Sequence, residues 1–146
     1  MKKTNTLGTH FWLSGMTAVL AILALAAYIV GAVGFAYYDD LNMLIVLVGV
    51  AGAVAAFGSG ILQRKLGEKL PLSLLGLAAG AAMAVCTMLI ADARVYSIAV
   101  LLFSELEKDN VEGYRALYCS LAAMGLFLAA AGCNVASNFC GPRMKE

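Results

Sequence analysis

The segment MLIADARVYS, residues 88–97, places Asp92 and Arg94 inside a run that is otherwise uncharged from Pro71 to Phe103. A carboxylate and a guanidinium in such a setting either hold an ion or mark the point where the chain leaves an apolar environment. Two charges at the centre of a membrane span would cost about 5–7 kcal/mol, and sliding the span back to start at Pro71 removes both. Asp92 and Arg94 are two residues apart, so on a helix they point to nearly opposite sides and cannot pair with each other. The reading is therefore an outer boundary near Ala91, with both residues kept as candidate polar or ligand contacts.

Asn134 and Asn138 lie one helical turn apart on a common face. Amides in that position hydrogen-bond across helices, at about 0.6–2 kcal/mol each, or contact a ligand at a polar entrance. The cysteines at 86, 119, 133 and 140 show no CxxC or metal-ligand spacing. Cys86 and Cys119 fall towards the same side, so a disulfide is conceivable in an oxidising compartment, with small buried thiols the simpler reading. His10 is the only histidine and makes no metal or catalytic site alone. Glu105, Glu107, Asp109 and Glu112 could attract cations or a basic partner but equally make a solvated loop, and Asp39 and Asp40 read as the soluble tip of a hairpin. Phosphate loop, nucleophile motif and dinucleotide fingerprint are missing from the 146 residues. The expectation is no enzyme, no cofactor, no metal site and no nucleic-acid partner.

The elements that must position these residues follow from composition. With 62% hydrophobic and 13% charged residues, the chain has the balance of a protein whose solvent is lipid. Four apolar segments, at approximately 11–38, 41–62, 71–91 and 117–139, each supply the ~20 residues that cross a ~30 Å hydrocarbon core. The first resembles a secretory signal, but its apolar run exceeds the usual 7–15 residues, so an uncleaved span is expected. Phe11 and Trp12 at one end, and Tyr37 and Tyr38 at the other, read as interfacial belts.

The fold class expected is all-α: an integral membrane four-helix bundle forming a single transmembrane domain over 1–146. An outer segment, 92–116, adds an amphipathic outer helix or a helical extension after the third span. Within it Val95, Ile98, Ala99, Leu102 and Leu106 share one face, Ser97, Ser104, Glu107 and Lys108 lie opposite, and Val100 and Leu101 fall off the pattern.

Small residues at spacing four form stripes in three spans: Gly52, Ala56 and Gly60; Gly76, Gly80 and Ala84; and Gly125, Ala129, Gly132 and Ala136. Such stripes let helices approach closely, either within the bundle or at an oligomer interface. The first two sets are the candidate packing or oligomer interface, and the last suits internal packing.

The expected function is that of a small multi-span membrane protein acting by helix packing, as a homo-oligomer or as an accessory subunit of a larger membrane complex. The alternative is an oligomeric channel or small-solute transporter. Its weakness is that the four spans hold no acid or base, and a repeat of the two hairpins would be parallel, not inverted. Partners are membrane lipids and itself or another membrane protein, with Arg64, Lys65 and Lys69 placed to meet anionic headgroups.

When the spans alternate, seven basic residues (Lys2, Lys3, Arg64, Lys65, Lys69, Arg143, Lys145) fall on one side and three (Arg94, Lys108, Arg115) on the other. The positive-inside rule then puts both termini in the cytoplasm of a multi-pass plasma-membrane protein, and the MKKT opening suggests a bacterial inner membrane. In a background without native cysteines, a membrane-impermeant maleimide added to intact cells should label Glu107→Cys and leave Leu66→Cys unmodified. Labelling in the reverse order would invert the topology.

Overall fold

The computed structural model describes residues 3–35, 40–66, 70–105 and 109–139. They form four helices: α1 (Lys3–Val33), α2 (Met43–Leu66), α3 (Leu70–Phe103) and α4 (Val111–Phe139). Each contains a segment long and apolar enough to cross a membrane, so the chain is a membrane-embedded four-helix bundle. The main interfaces run α1 to α2, α2 to α3, α3 to α4 and α4 back to α1, a closed square of antiparallel neighbours. Ser137 near the end of α4 reaches the carbonyl of His10 near the start of α1 at 3.3 Å, so the beginning and the end of the bundle share one side.

Local chemistry sets the helix starts. Asn42 caps α2 by accepting the amide of Leu44 at 3.0 Å, and Asn110 caps α4 by accepting the amide of Gly113 at 2.9 Å. Glu112 in the first turn of α4 adds a charge that the helix dipole favours. The tyrosine pair Tyr37 and Tyr38, together with Asp39, Leu106, Glu107, Lys108, Lys69 and Cys140, lies outside the described residues.

The third helix does not break near Ala91. It runs unbroken through Asp92 and Arg94 to Phe103, 34 residues or about 51 Å. That exceeds the hydrocarbon thickness, so its far end is the helical extension, continuous with the span. The apolar face expected of this extension is not the one that packs. Val95, Ala99 and Leu102 are exposed, whereas Arg94 and Leu101 are buried, because the turn of the helix that meets the bundle continues from Ile90. Tyr114 at the start of α4 donates to the carbonyl of Leu101 at 2.8 Å and fastens the extension there.

The core is built from close approaches between small and large side chains. Ala21, Ala24, Leu25, Ile45, Met83 and Phe127 fill the middle layer. A Cβ at Gly49 would stand 2.7 Å from Leu25 Cδ2, and one at Gly52 would stand 3.2 Å from the Ala82 Cβ. Gly60 faces Ser14, whose hydroxyl donates across the interface to the Ala56 carbonyl. A Cβ at Gly60 would come 2.8 Å from the Ser14 Cβ, while one at Gly58 meets nothing within 4 Å.

These two glycines of one helix make a paired test. Gly60→Ala should destabilise the bundle by about 1–3 kcal/mol through overpacking. Gly58→Ala should be neutral or stabilising by about 0.5–1 kcal/mol, through its effect on the unfolded chain. Heating the detergent-solubilised protein with a fluorogenic thiol reagent, with Cys86 as the single cysteine, reads unfolding directly because Cys86 is buried. Equal midpoints for the two variants would contradict the packing described here.

Candidate functional site

Polar groups gather at the two ends of the bundle. At the end distant from the termini, Arg94 of α3 is only 1% exposed. Its guanidinium makes a two-pronged ion pair with Asp40 in the α1–α2 connection, with Nη1 donating to Oδ2 at 2.8 Å and Nη2 to Oδ1 at 2.9 Å. Planar guanidinium and planar carboxylate match in this arrangement, which makes it one of the stronger ion-pair geometries. Asn42, two residues on, donates its backbone amide to the hydroxyl of the buried Tyr28 at 2.9 Å. The α1–α2 turn is thereby tied both to α1 and to α3.

Asp92, by contrast, is exposed. A carboxylate 54 residues away answers the charge of Arg94, and the hairpin-tip reading of Asp40 is corrected: its carboxylate is half exposed and clamps a buried arginine.

At the terminal end, a cavity of about 320 Å³ opens between all four helices, lined by His10, Gln63, Ser73, Leu77, Asn138 and neighbouring apolar groups. His10 and Gln63 are buried, and the Asn138 Nδ2 is buried with no hydrogen-bond partner among the described residues. The cavity offers imidazole, amide and hydroxyl groups. This set can hold water or a neutral polar group by hydrogen bonding, and among the described residues no carboxylate lines the cavity.

Two of the sequence-derived sets meet here. Gly80 lies opposite Asn134 and Gly76 opposite Asn138, so that a Cβ at either glycine would stand 2.7 Å from an amide atom. The missing side chain lets Asn134 reach the backbone, and its Nδ2 donates to the Gly76 carbonyl at 2.6 Å. Gly52 and Ala56 are buried with Gly60 on α2, shared between the α1 and α3 interfaces, whereas Ala84 is exposed.

The stripe on α4 departs from expectation. Gly125, Ala129, Gly132 and Ala136 are exposed, and a Cβ at Gly125 or Gly132 meets nothing within 4 Å. They do not pack internally because α4 turns its other face inward, the one carrying Ser120, Phe127, Asn134 and Ser137. Cys86, Cys119 and Cys133 are free thiols. Cys86 faces the Ile45 carbonyl of α2 while Cys119 faces Gly31 of α1, so Cys86 and Cys119 sit on different interfaces and do not pair. Among the described residues, no group of three or more His, Cys, Asp or Glu could hold a metal.

No family model, curated protein or solved structure matches the chain.

Sequence reasoning overlooked Asp40 as the partner of Arg94 and Gln63 as a wall of the cavity. Gln63 had a usable signal, since it follows Ser59 and Gly60 by four and three residues and so shares their buried face. Asp40 and Arg94 had a weaker one, their common side of the membrane.

The clamp predicts an asymmetry. Asp40→Ala takes the two-pronged counter-charge away from a buried cation and should cost about 2–4 kcal/mol. Arg94→Met removes the cation and leaves a carboxylate that water reaches, so it should be close to neutral. Thermal unfolding followed at Cys86 ranks the two, and a larger loss for Arg94→Met would reject the clamp.

Proposed function

We propose that the protein acts by helix packing in the plasma membrane, as a homo-oligomer joined through the outward face of α4, with both termini in the cytoplasm and no catalytic step of its own. One observation carries this reading. Ala122, Gly125, Ala129, Gly132 and Ala136 alternate at spacings of three and four along α4, and all five are exposed. This is the seam of a left-handed helix pair, in which small residues bring two backbones close enough for dispersion and weak Cα–H contacts to hold them. Tyr118 and Phe139, at the next positions either way, are exposed too.

Beside the seam runs a ridge of exposed larger residues, Leu121, Leu128 and Val135, at the seven-residue spacing. A ridge next to a furrow is self-complementary, which suits a two-fold pair in which each copy inserts its ridge into the other's furrow. The charge asymmetry inserts every copy in the same sense, so the pair is parallel and its axis runs along the membrane normal. The middle layer of the bundle, packed with Ala24, Leu25, Met83 and Phe127, leaves the oligomeric-channel alternative a path between copies and none through one bundle.

Single cysteines introduced along α4 in a background without native cysteines, and oxidised in native membranes, test the pairing. Cross-linked dimer should appear at Ala122→Cys, Ala129→Cys and Ala136→Cys and be faint at Val54→Cys on the exposed face of α2. Gly132→Leu should abolish it. A heterologous partner would instead leave the α4 positions uncross-linked yet shielded from a membrane-permeant maleimide, and that result would overturn self-association.

A further inference from the structure

A groove of about 810 Å³ runs along the outer side of the bundle between α1 and α2, lined by apolar side chains and by two glycines. Its α1 wall extends from Phe11 to Leu25, about 21 Å along the helix axis, and its α2 wall includes Val50, Val54 and Gly58. In a bilayer such a groove is filled by hydrocarbon, because no water is present at that depth. Its length covers the ~15 Å of one leaflet's acyl chains.

The end of the groove nearest the termini is cationic. Arg64 holds its guanidinium 5.0 Å from the centroid of the Phe11 ring, and Phe11 is itself a wall residue. A cation–π contact of this kind fixes the charge over the mouth. Lys65 follows it, and both are exposed. Trp12, 74% exposed, lies beside the mouth at the level where an indole prefers the headgroup boundary.

We propose that this groove is a binding site for an anionic phospholipid of the leaflet on the terminal side, with one acyl chain lying along α1 and α2 and the headgroup phosphate held by Arg64 and Lys65. The site is separate from the α4 seam and does not rest on oligomerisation. Two adjacent cations in the last turn of α2 repel the ammonium of a zwitterionic headgroup and favour a net negative one. Each basic group near the surface strengthens such binding about fivefold.

Trp12 is the only tryptophan, so its fluorescence reports on this site alone. The full chain is reconstituted in phosphatidylcholine bilayers containing increasing fractions of phosphatidylglycerol or phosphatidylcholine brominated on the acyl chains, which quench indole on contact. Half-maximal quenching should need about 25-fold less brominated phosphatidylglycerol than brominated phosphatidylcholine, about fivefold for each of Arg64 and Lys65, and the difference should shrink at high salt. In Arg64→Gln/Lys65→Gln the two curves should coincide.

Gly15→Leu/Gly58→Leu fills the groove at positions where a Cβ meets nothing within 4 Å, so it should fold and lose most of the saturable quenching. An unreactive Cys86 at ambient temperature verifies the fold of each variant. Coincident curves for the unmodified protein would mean an unselective lipid annulus only, and a preference that survives Arg64→Gln/Lys65→Gln would place the headgroup elsewhere. Quenching by neither lipid would mean that protein covers the groove. Each of these three results overturns the proposal.

Discussion

Hydrocarbon offers a protein neither hydrogen bonds nor a reason to bury apolar groups, and this double constraint governs the bundle. Polar side chains must find partners inside the chain. Thr17, Thr87 and Ser120 return their hydroxyl hydrogens to carbonyls four residues back, at 2.9, 3.1 and 3.1 Å, and Ser14 and Asn134 send theirs across to neighbouring helices. Helix association must come from contact rather than from expelled water. Gly31 against Cys119, Gly49 against Leu25 and Phe127, and Gly52 against Ala82 are the places where backbones come close enough to provide it.

The same constraint explains why a buried charge comes with its counter-charge. Arg94 lies about 36 Å along α3 from Leu70, near the limit of the hydrocarbon, and its partner comes from a connection that water reaches. A half-exposed carboxylate keeps part of its hydration while it neutralises a fully buried cation, so the desolvation cost falls mainly on one ion instead of two. The pair then fixes the α1–α2 turn against α3, and among the described residues the polar cavity at the other end is lined by amide, hydroxyl, imidazole and apolar groups. Between them the packed apolar layer separates the two polar ends.

Spans, their number and the helical extension were legible because hydropathy and length decide them almost alone. The inward face of α4 was not, because in lipid both faces of a helix are apolar and the usual contrast between core and surface disappears. Glycine and alanine stripes suit an internal contact and an external one equally. Polar residues carried the better signal: Ser120, Asn134 and Ser137 all turn inward, since lipid would leave them unsatisfied. Applied to the extension, the same reasoning points Arg94 inward and turns Val95 and Leu102 out, as the structure has them. The pairing with Asp40 was harder to read, because nothing local in the sequence links residues 54 apart.

The two unfilled outward surfaces differ in shape, and shape separates their occupants. Along α4 the small residues form a shallow furrow that flexible acyl chains fit poorly, losing dispersion contact, whereas a second helix with a ridge of Leu121, Leu128 and Val135 can fill it along its length. Between α1 and α2 the groove is lined by large side chains such as Phe11, Met16, Leu25 and Phe57 together with Gly15 and Gly58, and Arg64 stacks on Phe11 at one end. A flexible acyl chain adapts to such an uneven lining more readily than a rigid helix carrying its own side chains. Small residues on a helix therefore argue for a protein neighbour where they run as a continuous seam along one face, as Ala122, Gly125, Ala129, Gly132 and Ala136 do on α4, and not where two glycines are scattered among large side chains, as Gly15 and Gly58 are in the α1–α2 groove.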